Sequence, residues 1–185
     1  MFDNINYRNE KIDNIEYIDC EFNKCTFIDS EFSKCIFKDC KFNKCTMNNV
    51  TFRFSTMKNS VVDNCEFIGI NWATLRGDII EVEPIQSARE CFFKYNNFIF
   101  MKLNKFNFSG SRFQKSLFQE CDLIEANFKE VRFESTEFIQ CNISKADFRD
   151  SYGYQIDIRT NKLTKSKFSF PEVTSLLNSI DIIID

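Results

Sequence analysis

From Tyr7 to Trp72 the chain repeats one pattern, an apolar residue at every fifth position with mostly polar residues between. The apolar positions are Tyr7, Ile12, Tyr17, Phe22, Phe27, Phe32, Phe37, Phe42, Met47, Phe52, Met57, Val62, Phe67 and Trp72. Two residues before each stands a second set, mostly small beyond Ile15: Cys20, Cys25, Ser30, Cys35, Cys40, Cys45, Val50, Ser55, Ser60, Cys65 and Ile70. Neither the helix period of 3.6 nor the strand period of 2 gives this spacing. One such turn of chain cannot bury its own aromatic rings, so successive turns must stack as they do in a solenoid.

The pattern stops over residues 73–90, "ATLRGDIIEVEPIQSARE", which contain Gly77 and Pro84. It resumes one residue out of step at Phe93 and runs through Phe98, Leu103, Phe108, Phe113, Phe118, Leu123, Phe128, Phe133, Phe138, Ile143 and Phe148. Gly153, Ile158, Leu163 and Phe168 complete this second series. The chain therefore divides into repeats at 1–72, an aperiodic segment at 73–90, repeats at 91–170, and a tail at 171–185. A long aperiodic stretch in a regular domain is often functional. It reads either as a loop or connection between two stacks, with Asp78, Glu81 and Glu83 as an acidic face, or as a distorted turn with Leu75, Ile79, Val82 and Ile85 inside. In the tail, Pro171 and Glu172 suit a first helical turn, and Val173, Leu176, Leu177 and Ile180 have helical spacing. Ile182, Ile183 and Ile184 follow as an apolar end.

Composition sharpens this picture. Most of the 23 phenylalanines stand in the apolar series, and all nine cysteines fall on the small position, where a free thiol behaves as a compact hydrophobe. Cysteines stacked on adjacent turns at about 4.8 Å are poorly placed for disulfides, so free thiols are expected. With no histidine, the chain lacks His ligands and His-based nucleophile pairs. No catalytic residue, metal site or cofactor is expected, and buried thiols are too inert for redox sensing. The net charge of −3 argues against direct nucleic-acid binding. The absence of a long apolar run and the polar first residues point to a soluble, cytoplasmic chain without a membrane span.

"CEFNK", "CTFID", "CIFKD", "CKFNK", "SRFQK", "ANFKE" and "ADFRD" resemble the repeats of the pentapeptide-repeat family, and the likeness runs through nearly the whole chain. The resemblance implies an all-β fold, a right-handed quadrilateral parallel β-helix with four pentapeptides per coil and a short C-terminal helix. It places Phe22, Phe27, Phe32, Phe37, Phe42, Phe67, Phe113, Phe118, Phe128, Phe133, Phe138 and Phe148 in inward ladders. The tail is similar to that of the topoisomerase-protecting branch, the Qnr-type, MfpA-type and microcin-immunity proteins. That likeness implies a homodimer through Val173, Leu176, Leu177, Ile180, Ile182, Ile183 and Ile184, where the plainer reading is a lid on the solenoid end. It further implies a partner, DNA gyrase or topoisomerase IV, bound by a rod that mimics DNA and so protects the enzyme from quinolones or poisoning toxins. Glu120, Asp122, Glu125, Glu130, Glu134 and Glu137 are the candidate partner-binding acids, together with Asp78, Glu81 and Glu83. The alternative is a general protein-interaction scaffold without topoisomerase activity. A continuous acidic stripe would favour the first, and mixed charge or an apolar patch the second.

Overall fold

A computed structural model describes residues 1–75, 85–180 and 182. The chain winds as a right-handed, four-sided parallel β-solenoid of about 8 turns, closed by one short C-terminal helix. Each side is a ladder of short strands or single bridges whose parallel partners mostly lie 20 residues apart, as in Phe22↔Phe42 and Phe113↔Phe133. Face 1 carries Phe22, Phe42, Val62, Ala88, Phe108, Phe128 and Phe148 inward. Face 2 carries Phe27, Met47, Phe67, Phe93, Phe113 and Phe133. Face 3 carries Ile12, Phe32, Phe52, Trp72, Phe98, Phe118 and Phe138, and face 4 carries Tyr17, Phe37, Met57, Leu103, Leu123 and Ile143. All twelve aromatic positions expected in the ladders are buried.

The rings make the core. Phe98, Phe118 and Phe138 stack with centroids 4.5 and 4.9 Å apart and planes within 6° of parallel. Rings on adjoining faces meet edge to face, as Phe133 and Phe138 do at 72°. Each buried ring contributes roughly 2 kcal/mol by transfer from water. Edge and stacked contacts add about 1 kcal/mol per pair.

Corners explain the five-residue spacing. The last residue of nearly every repeat has a positive φ, from Asn4 (56°) through Lys24 (53°) and Asp39 (54°) to Lys145 (59°) and Lys165 (60°). This left-handed conformation turns the chain through the corner, at about 1–2 kcal/mol for a residue with a Cβ. The same residue returns a ladder bond: Lys24 N–H donates to the Asn43 carbonyl at 2.9 Å. Asparagine and aspartate tolerate this region best, and they fill most corners of the first block. There Asn49 donates to Asp29 at 2.7 Å and Asn59 to Asp39 at 3.1 Å, so the corner carboxylates are satisfied by the next coil.

The small position does more than leave room. The Ser55 hydroxyl accepts from Cys35 N–H at 2.9 Å and donates to the Phe32 carbonyl at 2.9 Å. Cys65 Sγ likewise accepts from Cys45 N–H at 3.3 Å and donates to the Phe42 carbonyl at 3.4 Å. Each such side chain pairs inward backbone groups of the coil below, groups that are costly to leave unmade. Cysteine is favoured over alanine here because it is both small and a weak donor and acceptor.

The frame shift has a simple origin. Val62↔Ala88, Phe67↔Phe93 and Asn71↔Asn97 are each 26 residues apart. One coil is therefore six residues longer than the rest, which returns the pattern one residue out of step. The extra residues fall between Trp72 and Ala88, but Ile85–Arg89 is a strand paired on face 1, with a register irregularity after Ser60. The insertion is thus shorter than the aperiodic stretch, and both chain blocks belong to one continuous stack. Asp78, Glu81, Glu83, Ile79 and Val82 lie outside the described residues.

The far end is less regular. Gly153 occupies a central position, and Tyr154 fills the space at 3% exposure. Ile156, not the expected Ile158, pairs with Phe138, and Ile158 is only half-buried. Glu172–Ile180 forms a 3₁₀ helix that lies on this coil. Glu172 accepts from Gly153 N–H at 2.6 Å, and Ser179 from Ile158 N–H at 3.3 Å. Leu176 is buried and Val173 packs against the core, so these two belong to the lid and not to an outward interface. Leu177 is half-buried, Ile180 and Ile182 are exposed, and Ile183 and Ile184 lie outside the described residues.

All nine cysteines are free; eight are buried and Cys20 is partly exposed. Burial pushes Cys40 from an ordinary 9.0 to about 11, and raises Cys25 and Cys35 as well. A thiol-specific reagent should therefore label one cysteine readily in the native protein and all nine after unfolding. Because the folded state holds these protons more tightly, their contribution is complete below pH 9.0 and is lost as pH rises toward 11. The denaturant midpoint should fall across that interval.

Candidate functional site

On a solenoid, residues adjacent in sequence go round the perimeter, and residues one coil apart are neighbours in space. The six candidate acids of 120–137 consequently do not form a stripe. Glu120 stands on the corner after face 3, above the exposed Phe100. Asp122 is on face 4, over Lys102, with one oxygen accepting from Asn104 at 3.2 Å and the other buried without a partner. Glu125 is on the next corner, bonded to Lys145 at 3.1 Å, a contact that holds its carboxyl below the usual range. Glu130 is on the corner between faces 1 and 2. Glu134 lies on face 2, where Gln114 and Arg112 bond it at 2.9 and 3.1 Å and likewise lower its carboxyl pKa. Glu137 is on face 3, exposed, with Leu117 on the neighbouring rung.

Two groupings appear that adjacency in sequence concealed. Glu90, Gly110, Glu130 and Asp150 occupy one corner column, with each backbone N–H of the first three donating to the next coil. Three acids on four rungs make a short acidic edge, with Lys129 and Arg149 on the adjoining strand side. Stepping by 20 from Glu130 would have found it. Beside it on face 2, Phe92, Arg112, Arg132 and Tyr152 form a second column. Lys94, Tyr95 and Lys115 flank that column at its other edge.

A groove of about 520 Å³ runs between the last coil and the helix, lined by Glu137, Tyr154, Ile156, Asp157, Ser175 and Asn178. Arg159 bonds Asp157 at 2.7 Å and holds that carboxyl low. Among the described residues no cluster of acids and cysteines could hold a metal ion. No described helix is long and apolar enough to cross a membrane. What the outer surface offers is a set of flat, ordered, charged faces.

The sequence profile of a family described as "Pentapeptide repeat region" matches residues 15–79 and 111–177. A search of curated protein sequences finds no match. Among solved structures, a trypsin-treated QnrB1, a plasmid-mediated fluoroquinolone resistance protein, matches over 100% of this chain and 99% of its own, with TM-score 0.70 and 18% identity. Full-length QnrB1 matches over 97% of this chain and 99% of its own, with TM-score 0.61 and 18% identity. At that identity the likeness is one of fold.

Proposed function

Because the chain belongs to the pentapeptide-repeat family, we propose that it is a non-catalytic, protein-binding rod whose partner is a type II topoisomerase, DNA gyrase or topoisomerase IV. Bound there, it protects the enzyme from quinolones or gyrase-poisoning toxins. The observation that carries this reading is the end-to-end match in fold with a fluoroquinolone resistance protein, which leaves almost no part of either chain uncovered. The solenoid itself supports the binding half of the reading, since its rigid ladders hold outward side chains at fixed spacing of about 4.8 Å.

Mimicry of DNA is the finer part of the proposal. It rests on the shape of the rod and on the column of Glu90, Glu130 and Asp150, because the candidate acids of 120–137 are dispersed around the perimeter. A second reading, an interaction scaffold for another protein, is favoured by one observation: the cations and rings gathered on face 2.

The test is gyrase supercoiling with a fluoroquinolone present and the purified protein titrated in. Restored supercoiling is expected. A rod that neither restores nor inhibits supercoiling at any concentration would move the assignment to the scaffold reading.

A further inference from the structure

Face 2 changes character halfway along the rod. Its outer column reads Thr26, Thr46 and Glu66 in the early coils, then Phe92, Arg112, Arg132 and Tyr152. Arg112 and Arg132 are direct partners in the ladder, so two like charges stand one rung apart, about 4.8 Å at the backbone. Their heads separate onto rings at opposite ends of the column. Arg112 lies over Phe92 at 5.3 Å and Arg132 over Tyr152 at 5.7 Å. At the neighbouring corner Lys94 and Lys115 both lie over Tyr95, at 5.2 and 5.8 Å. Glu134 is the carboxylate inside this patch, and it is already engaged by Arg112 and Gln114. Among the described residues no carboxylate is within 4.0 Å of the Lys94, Lys115 or Arg132 charges. A chain of net charge −3 thus keeps four cations and three rings together on one flat face.

We infer that this face, centred on Arg112, Arg132, Tyr152 and Tyr95, is a docking surface for an acidic protein segment that presents separate carboxylates with apolar side chains between them. The rings offer apolar area and hold the guanidinium and ammonium groups ready, which reduces the ordering cost of forming ion pairs. Charge complementarity selects an anionic partner. The flanking column of Glu90, Glu130 and Asp150, and Glu66 at the near end, select against a continuous polyanion, which would meet these carboxylates wherever it left the patch. A protein segment can place its acids only where the cations are. This inference deepens the protein-binding reading and rests on it.

The experiment uses the full chain and three probes: a fluorescein-labelled alternating Glu–Leu peptide, labelled oligothymidine, and phosphatidylserine vesicles. The peptide should bind best, weaken as salt rises, and lose about tenfold in affinity in the Arg112→Glu/Arg132→Glu variant. Tyr95→Leu/Tyr152→Leu, which keeps the charge, should lose a smaller factor. Circular dichroism and the thermal midpoint confirm that each variant is folded. Tighter binding of oligothymidine or vesicles than of the peptide, or peptide binding unchanged by the charge reversal, would overturn the inference. The supercoiling assay separates the two claims. Rescue without peptide binding sinks this face alone, and peptide binding without rescue sinks the topoisomerase reading alone.

Discussion

Replacing Asn96 by leucine is expected to destabilise the rod by about 3 kcal/mol. Asn96 is fully buried on the coil after the insertion. Its Oδ1 accepts from the Trp72 indole at 2.9 Å, and its Nδ2 donates to the Phe67 and Lys94 carbonyls at 2.8 and 2.9 Å. Leucine is close in volume but answers none of these groups. The Trp72 indole N–H would be orphaned at roughly 1–3 kcal/mol, and the Phe67 and Lys94 carbonyls would each lose a donor, the latter keeping Gly69 N–H at 2.8 Å. For a chain of this size that corresponds to a fall in melting temperature of about 6–12 °C. Asn97, its exposed neighbour, is the control, and Asn97→Leu should leave the midpoint almost unchanged. The loss should appear in calorimetry as a lower transition for the whole stack, since Trp72 lies between the rings of Phe52 and Phe98 and so joins the two blocks.

The second large effect is expected at Gly153. A methyl group there would sit 2.1 Å from the Phe133 carbonyl oxygen, and the glycine has a φ of 75°. Alanine therefore meets both a left-handed backbone, at about 1–2 kcal/mol, and an overpacked contact with main chain that cannot step aside, at about 1–3 kcal/mol. Gly153 N–H also donates to Glu172, so moving this residue disturbs the seat of the terminal helix. Gly153→Ala should lower the denaturation midpoint and make the C-terminal lid the first site of cleavage in limited proteolysis. Gly69→Ala is the comparison. It shares the positive φ, but the new methyl group meets nothing nearer than 4.0 Å, so only the backbone cost remains.

These two positions mark the limit of what the sequence displays. The repeat of Phe22, Phe27 and Phe32 is a one-dimensional signal, and it carries the coil, the inward faces and the stacking at once. The frame shift at residue 73 was legible as a break, but the six added residues became clear only when Phe67 was seen beside Phe93. Asn96 is a polar residue at a small position and looks like a weak repeat; its meaning depends on Trp72 from the previous coil. Gly153 looked like a lapse in the pattern, and Ile158 like its next member, because nothing local reveals that two residues are dropped and Ile156 takes the place. The surface was harder still. Glu120, Glu125 and Glu130 look clustered in the sequence, yet they stand on three different corners. Charge on a solenoid has to be counted down columns, as Glu90, Glu130 and Asp150 or Arg112 and Arg132 show.

The tail illustrates a competition between two uses of the same residues. Leu176 and Val173 close the open end of the core, which would otherwise expose the rings of the last coil. Among the described residues of the expected dimer surface, Ile180 and Ile182 remain exposed and Leu177 is half-buried.

The central claim is that the rod engages a type II topoisomerase, and direct binding tests it most plainly. Intact DNA gyrase, and separately topoisomerase IV, would be immobilised and exposed to the full chain with and without linear duplex DNA. Saturable binding to at least one enzyme, displaced by duplex DNA, is the predicted result. Binding to neither enzyme, by a protein whose fold and solubility are verified in the same buffer, would contradict the claim.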